Sequence, residues 1–411
     1  MIVKIIAIGS ELLSGSSTDT NSQFIINALK SVGISVASVK IVGDEIEAIT
    51  GALASENDAD ILLITGGLGP THDDRTVKAA AQYFDSAIVF SEVVMQHIQA
   101  LFEVRGIAEL SEANRRQALV PEKAELIPNY YGTAPGLIFK KGKTVYYFMP
   151  GVPVEMERMF AENILPILQT SGTEPILSAV IRTTGVPESV LFQKIEQWIE
   201  INQDLAVSIL PHFPEVHIVI TKSSPNITRP LLDKKLDEVT AILGDDIYGY
   251  DADTLESVVA KQLLKNNLTI AIAESCTGGL IAHRLTNISG SSAYFQQGII
   301  CYSNRSKIEN LGVREKTLAD FGAVSRQTAQ EMAVNIRRIA NSDIGLSTTG
   351  IAGPTGGSPE KPVGTVFIGL ASGDHKGTFH FRYNRDRLSN KIYFSQMALN
   401  QLRLDMKASY E

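Results

Sequence analysis

Two stretches of this chain share one pattern, and that pattern narrows the folds open to it. Residues 60–74 read DILLITGGLGPTHDD and residues 343–357 read DIGLSTTGIAGPTGG. Each is an apolar run of strand length that meets a glycine-rich turn and a proline. A short continuous apolar run marks a strand buried on both faces. Such strands belong to parallel sheets covered by helices on either side. A third stretch, TIAIAESCTGGL at 269–280, repeats the theme, and Leu280, Ile281, His283 and Leu285 open a helical pattern behind it. Strand and helix signals alternate through both ends of the chain. The expected class is α/β, with two α/β/α sandwich domains joined by a small α+β domain. The echo between residues 60–74 and 343–357 is read as two domains reusing one ligand-site geometry, not as a repeat.

With 411 residues the chain has room for two or three domains. The boundaries are expected at 1–170, 171–251 and 252–411, with a linker at Thr170–Pro175. In the first block, strands are expected at 2–9, 36–42, 60–65, 125–127, 136–139 and 144–149. Asn21 is the expected cap of a helix that Gly33 stops. The middle block reads strand, helix, two strands, helix. That order is KH-like, but Gly185-Val-Pro-Glu188 lacks the second glycine of the G-x-x-G clamp that grips a nucleic-acid backbone. A connector or dimerisation role is therefore expected. A net charge of −8 also argues against a general nucleic-acid binder, which needs a basic face. Cys276 and Cys301 are the only cysteines, so neither a disulfide framework nor a zinc site is indicated. The N-terminal apolar run is too short for a signal peptide and no stretch approaches a membrane span, which gives a cytoplasmic expectation.

Candidate sites lie where strands end, because open α/β sheets bind ligands at their carboxyl edges. Ser275 follows one such strand. A hydroxyl there, beside free amides at a helix start, suits acyl transfer. The plainer alternative is that Ser275 caps the helix. No histidine falls in a strand-end loop of the last block: His283 lies within an apolar helix face, and His375 and His380 fall in a polar stretch. A Ser-Lys pair with Lys307 is the remaining base option, with Tyr302 as relay or support. A lysine base must be neutral, and moving its pKa from about 10.4 to about 7–8 takes roughly 3–4 kcal/mol, which burial can supply. The alternatives are a solvated surface lysine and a half-buried strand tyrosine. Cys276 is a rival nucleophile that ranks below Ser275. In the first block, Gly66, Gly67 and Gly69 either cradle phosphate or form a tight turn. Asp73 and Asp74 are acceptors at the start of the next helix.

The residues also resemble a known family. AESCTGG (273–279), GSSAYF (290–295), CYSNRSK (301–307), GAVS (322–325), TTGIAGPTGG (348–357) and KPVGTV (361–366) resemble the C-terminal domain of the competence/damage-inducible CinA family. GSELLSGSSTDTN (9–21), TGGLGPTHDDRT (65–76), EANRRQA (112–118), GTAPG (132–136) and MPGVPVEM (149–156) resemble the molybdopterin-binding-like domain that precedes it there, and the middle block resembles that family's KH-like connector. The resemblance implies a nicotinamide mononucleotide deamidase that uses no metal. Its nucleophile would be Ser275, with Tyr302 and Lys307 beside it. Backbone amides near Thr277, Gly278 and Gly279 would stabilise the oxyanion, and Thr349, Gly350 and Gly353 would hold the nucleotide. The family pattern before the last helix is G-D-R. Here Arg385 replaces the glycine while Asp386 and Arg387 match, so a phosphate role for Arg387 is an expectation. For the first block the resemblance implies ADP-ribose pyrophosphatase activity with a divalent metal (magnesium, manganese or cobalt), the acids being Asp44, Asp73 and Asp74. The alternative is a nucleotide or pterin-binding module without turnover. The partners implied are small nucleotides, with no nucleic acid, no membrane and a homodimer.

Overall fold

The computed structural model describes residues 1–71, 74–104, 106, 110–169, 177–224, 226–373 and 375–410. Asp73 and the expected linker Thr170–Pro175 lie outside the described residues. The chain divides into two compact units, Met1–Ile176 and Leu177–Glu411.

The first unit carries strands β1 (Val3–Ile8), β2 (Val36–Val42), β3 (Ile61–Thr65), β4 (Ile88–Phe90), β5 (Leu119–Pro121), β6 (Glu125–Ile127), β7 (Gly136–Lys141) and β8 (Thr144–Met149). Six of them form one sheet in the order β2-β1-β3-β8-β7-β6. The first four run parallel and the last two antiparallel, so the sheet is mixed. Only Gly142 and Lys143 separate β7 from β8, a link that antiparallel neighbours alone can use. Side chains alternate between the two faces. Val3, Ile5 and Leu63 enter one core, and Ile6, Ile8 and Ile64 enter the other, with helices covering both. The short β4–β5 pair is a separate sheet that the sequence pattern does not reveal. Asp19, not the expected Asn21, caps the helix Thr20–Ser31 by accepting from the Ser22 amide at 2.9 Å. Asn21 instead sits inside the helix and donates to the Gly151 carbonyl.

The second unit begins with β9 (Ser178–Thr184), β10 (Leu205–His212), β11 (Glu215–Lys222) and β12 (Ile247–Tyr250), in the sheet order β10-β11-β9-β12. Helices Glu188–Ile201 and Arg229–Leu243 close a core of Leu191, Ile195, Trp198, Ile218, Ile220 and Leu232. The edge strand β12 is the element missing from the sequence reading. A second sheet follows, built from β13 (Ile270–Glu274), β14 (Phe295–Ile300), β15 (Ile344–Gly350), β16 (Thr365–Ser372) and β17 (His375–Arg382), in the order β14-β13-β15-β16-β17. Its first three strands are parallel and its last two antiparallel. Ile270 and Ile272 pack to one side, Ala271 and Ala273 to the other. The closing helix, Arg387–Tyr410, buries Phe394, Met397, Ala398, Leu402 and Met406 against this sheet. Among the described residues, no helix is long and apolar enough to cross a membrane.

Candidate functional site

The internal strand β13 ends at Glu274, and the parallel ladder continues one residue further on each side. The Ser275 amide donates to the Thr348 carbonyl at 3.0 Å, and the Cys301 amide donates to the Glu274 carbonyl at 2.8 Å. Ser275 is thereby fixed between the ends of β14 and β15. The chain leaves β14, turns at Ser303, whose hydroxyl accepts from the Ser306 amide, and enters the helix Asn304–Leu311. Lys307 lies one turn into that helix and points back under the strand ends. It is 1 % exposed.

Its Nζ lies 2.9 Å from Ser275 Oγ, 2.8 Å from the Cys301 carbonyl and 3.5 Å from the Tyr302 carbonyl. Burial holds the Lys307 pKa below its ordinary value of 10.5. A neutral amine in this place has two N–H donors for two carbonyls and one lone pair for the serine proton. The serine and lysine that the sequence leaves 32 positions apart are thus in hydrogen-bond contact. Ser275 does not cap the helix behind it.

That cap is Glu274. Its buried carboxylate accepts from the amides of Gly279 (2.9 Å), Ile281 (3.2 Å) and Ala282 (2.8 Å) at the start of the helix Leu280–Thr286. The Gly278 amide donates to the Ser275 carbonyl and the Leu280 amide to that of Thr277. The amides of Gly278 and Gly279, expected as oxyanion donors, are therefore already committed. Thr277 is fully buried and bonds its hydroxyl to that of Thr348 at 2.8 Å. None of Thr277, Gly278 and Gly279 lines the cavity. Cys276, next to the nucleophile, lines the cavity, and its amide takes no part in this cap.

The cavity is about 240 Å³, and its walls include Ser275, Cys276, Tyr302, Lys307, Thr349, Gly350, Gly353 and Arg387. A Cβ on Gly350 would come within 2.5 Å of the Thr365 carbonyl, so this wall admits only glycine. Thr349 turns its hydroxyl away, onto the Ala323 carbonyl. Ala323 and Val324 complete the wall from the GAVS stretch, apolar residues that carry no chemical signal in a sequence. Tyr302 is 59 % exposed, and its hydroxyl accepts from Arg387 Nη2 at 2.6 Å rather than meeting Ser275 or Lys307. The lysine is held by backbone carbonyls, not by the tyrosine ring. Arg387 also donates to the Gly353 carbonyl at 2.7 Å and so ties three loops together at the rim. The rival Cys276 thiol is pushed up to about 12 by burial, which leaves it protonated and unreactive near neutrality.

The first unit has its own cleft, of about 730 Å³, at the corresponding strand ends. Gly66, Gly67, Gly69, Asp44 and Asp74 line it, together with Glu11, Glu45, Arg75 and Glu155. Four of its acids face protein partners. Asp44 accepts from the Ser10 amide at 2.8 Å, and Asp74 from the Thr71 amide and hydroxyl at 2.7 and 2.6 Å. Glu45 pairs with Arg75, and Glu155 accepts from Asn129. Among the described residues, no three acids, histidines or cysteines gather as a divalent-metal ligand set. Those residues alone do not fit the metal that the resemblance implies, and Asp73 lies outside them.

Comparison with known proteins agrees with this arrangement. Residues 4–170 match the family described as a probable molybdopterin binding domain, 178–249 the damage-inducible protein CinA KH domain, and 252–406 the CinA C-terminal domain. A CinA-like protein of Chloroherpeton thalassium is 42 % identical over 422 residues, covering 100 % of both chains. A CinA-like protein of Dictyoglomus thermophilum is 38 % identical over 408 residues and 98 % of both. The solved structure of the competence/damage inducible protein CihA from Agrobacterium tumefaciens is 38 % identical, covers 38 % of this chain and 97 % of its own, and has a TM-score of 0.35. Over its full length, this chain belongs to the CinA family.

Proposed function

We propose that the C-terminal cavity hydrolyses the carboxamide of nicotinamide mononucleotide to nicotinic acid mononucleotide and ammonia. The observation that supports this most is the buried Lys307 amine, 2.9 Å from Ser275 Oγ and lowered in pKa by its burial. Lys307 accepts the Ser275 proton as the oxygen attacks the carboxamide carbon. The Cys276 amide receives the developing oxyanion. Lys307 returns its proton to the leaving nitrogen, and the C–N bond breaks to release ammonia. Water then attacks the ester carbon as Lys307 takes its proton, the bond to Ser275 Oγ breaks as Lys307 hands that proton to the oxygen, and the acid departs with both Ser275 and neutral Lys307 restored. Arg387, which lines the cavity, would meet the phosphate. Ammonia release from nicotinamide mononucleotide, in the presence of EDTA, tests the reading. Release that Ser275→Ala abolishes supports it, and no release from folded wild type refutes it.

For the first unit, the reading best supported is a nucleotide-binding cleft with ADP-ribose as ligand. The bonds that already occupy Asp44, Asp74, Glu45 and Glu155 favour binding over metal-dependent hydrolysis. Incubating the protein with ADP-ribose and magnesium, manganese or cobalt separates the two. Thermal stabilisation without AMP formation supports the binding module. AMP formation replaces it with the pyrophosphatase.

A further inference from the structure

Strands β10 and β11 of the middle domain form a hairpin whose tip is Phe213 and Pro214. The Phe213 ring is 47 % exposed, and one side of it is covered. It stacks on Tyr383, with ring centroids 5.4 Å apart and planes inclined by 16°. Tyr383 stacks in turn on Tyr393, at 4.4 Å and 16°. Tyr383 is the first residue after β17, and only Asn384, Arg385 and Asp386 separate it from Arg387. Asp386 starts the closing helix by accepting from the amides of Leu388 and Ser389 at 3.0 Å each. The ring stack therefore braces the short segment that delivers Arg387 to the cavity rim.

The same helix is gripped further along. Gln396 Nε2 donates to Thr184 Oγ1 and Glu215 Oε1 of the middle domain, both at 3.1 Å. Its Oε1 accepts from Arg284, which belongs to the helix behind the Ser275 turn. Arg403 donates to the carbonyls of Ile247 and Asp245. The middle domain thus fixes both the approach to the helix and its body, while Arg387 at its first position holds Tyr302 and Gly353.

We infer that the middle domain is a positioning element of the C-terminal site, with Phe213 at its hairpin tip setting Arg387 through the Tyr383–Tyr393 stack. This rests on the deamidase reading above, with Arg387 meeting the phosphate. Phe213 touches no reacting atom, so its loss should weaken substrate capture rather than chemistry. An aromatic pair of this kind contributes enough that Phe213→Ala should raise the KM for nicotinamide mononucleotide about three- to tenfold, with kcat unchanged. Phe213→Tyr keeps the stack and should restore the wild-type KM.

The deciding experiment is a double-mutant cycle on the full chain with Phe213→Ala, Arg387→Ala and the double variant, alongside hydrogen exchange of residues 384–390. If Phe213 acts through Arg387, its effect on KM vanishes in the Arg387→Ala background, and Phe213→Ala speeds exchange at the Leu388 and Ser389 amides. Additive effects on KM, or unchanged exchange, overturn the inference. If wild type releases no ammonia, the deamidase reading fails instead, and exchange alone decides whether the hairpin tip braces the Arg387 segment.

Discussion

The two clefts sit on matching scaffolds and spend their polar groups in opposite ways. Both open at the carboxyl ends of parallel strands, beside a glycine-rich turn that runs into a proline. In the first unit the acids bond to amides, a hydroxyl and an arginine, and so serve the loops that carry them. In the second, backbone groups take over the support. Carbonyls hold Lys307 and the Glu274 carboxylate holds the helix start, which leaves Ser275 and Lys307 to face each other. A shared loop shape therefore does not carry a shared chemistry. What distinguishes the two is whether a reactive side chain is paired with scaffold or with another reactive side chain.

The largest effect should fall on that pairing. Ser275→Ala should lower ammonia release at least about a thousandfold, and Lys307→Met by about 10²- to 10⁴-fold, the range for removing a positioned base. Asp44→Asn, in the other cleft, should leave it unchanged. In the proposed reaction Lys307 works as the neutral amine, so the rate should climb with pH and level off above the depressed lysine pKa, below 10.5. Stability should follow the same sign. The unfolded lysine binds its proton up to its ordinary value while the folded one has already lost it, so stability rises with pH across that window and falls as pH drops through the folded pKa. Melting curves should show this slope in wild type and not in Lys307→Met.

The cleft of the first unit is open to a backbone test. Gly67 has φ +68, and a Cβ there would meet Thr76 Oγ1 at 2.1 Å. Gly67→Ala should cost roughly 1–3 kcal/mol in denaturant titration and abolish thermal stabilisation by ADP-ribose, with deamidation intact. A smaller effect separates support from chemistry at the rim. Tyr302→Phe removes the hydroxyl that Arg387 grips but leaves both carbonyls on Lys307, so KM should rise about two- to fivefold at constant kcat. A proton relay through Tyr302 would instead lower kcat. Smallest of all, Cys276→Ala should change kcat by less than about twofold, because a thiol held protonated takes no part.

Much of this was legible in the chain itself. The strand before Ser275 and the strand, helix, two strands, helix order of the middle domain follow from apolar period and turn chemistry. The pairing of Ser275 with Lys307 follows from elimination and resemblance, but its contact geometry was not legible, because it depends on β14 lying parallel to β13 with Glu274 opposite Ile300, a register that no local pattern sets. Glu274 was overlooked for a related reason. An acid at the end of a buried strand reads as part of a motif, and only the fold shows its carboxylate turned onto amides five to eight residues ahead. Asn21 failed as a cap because Asp19, two residues earlier, offers the same oxygen to the same turn. β4, β5 and β12 escaped because three or four residues hold too little period to count.

The Glu274 cap bears on how turnover ends. The proposed hydrolysis would convert an uncharged amide into an acid anion next to Ser275. A helix start is ordinarily a resting place for such a charge. Here its amides are occupied before any substrate arrives, and Lys307 is regenerated as a neutral amine. The reaction centre thus keeps little attraction for the anion it makes. Inhibition by nicotinic acid mononucleotide should accordingly be weak, with an inhibition constant above the KM of the amide.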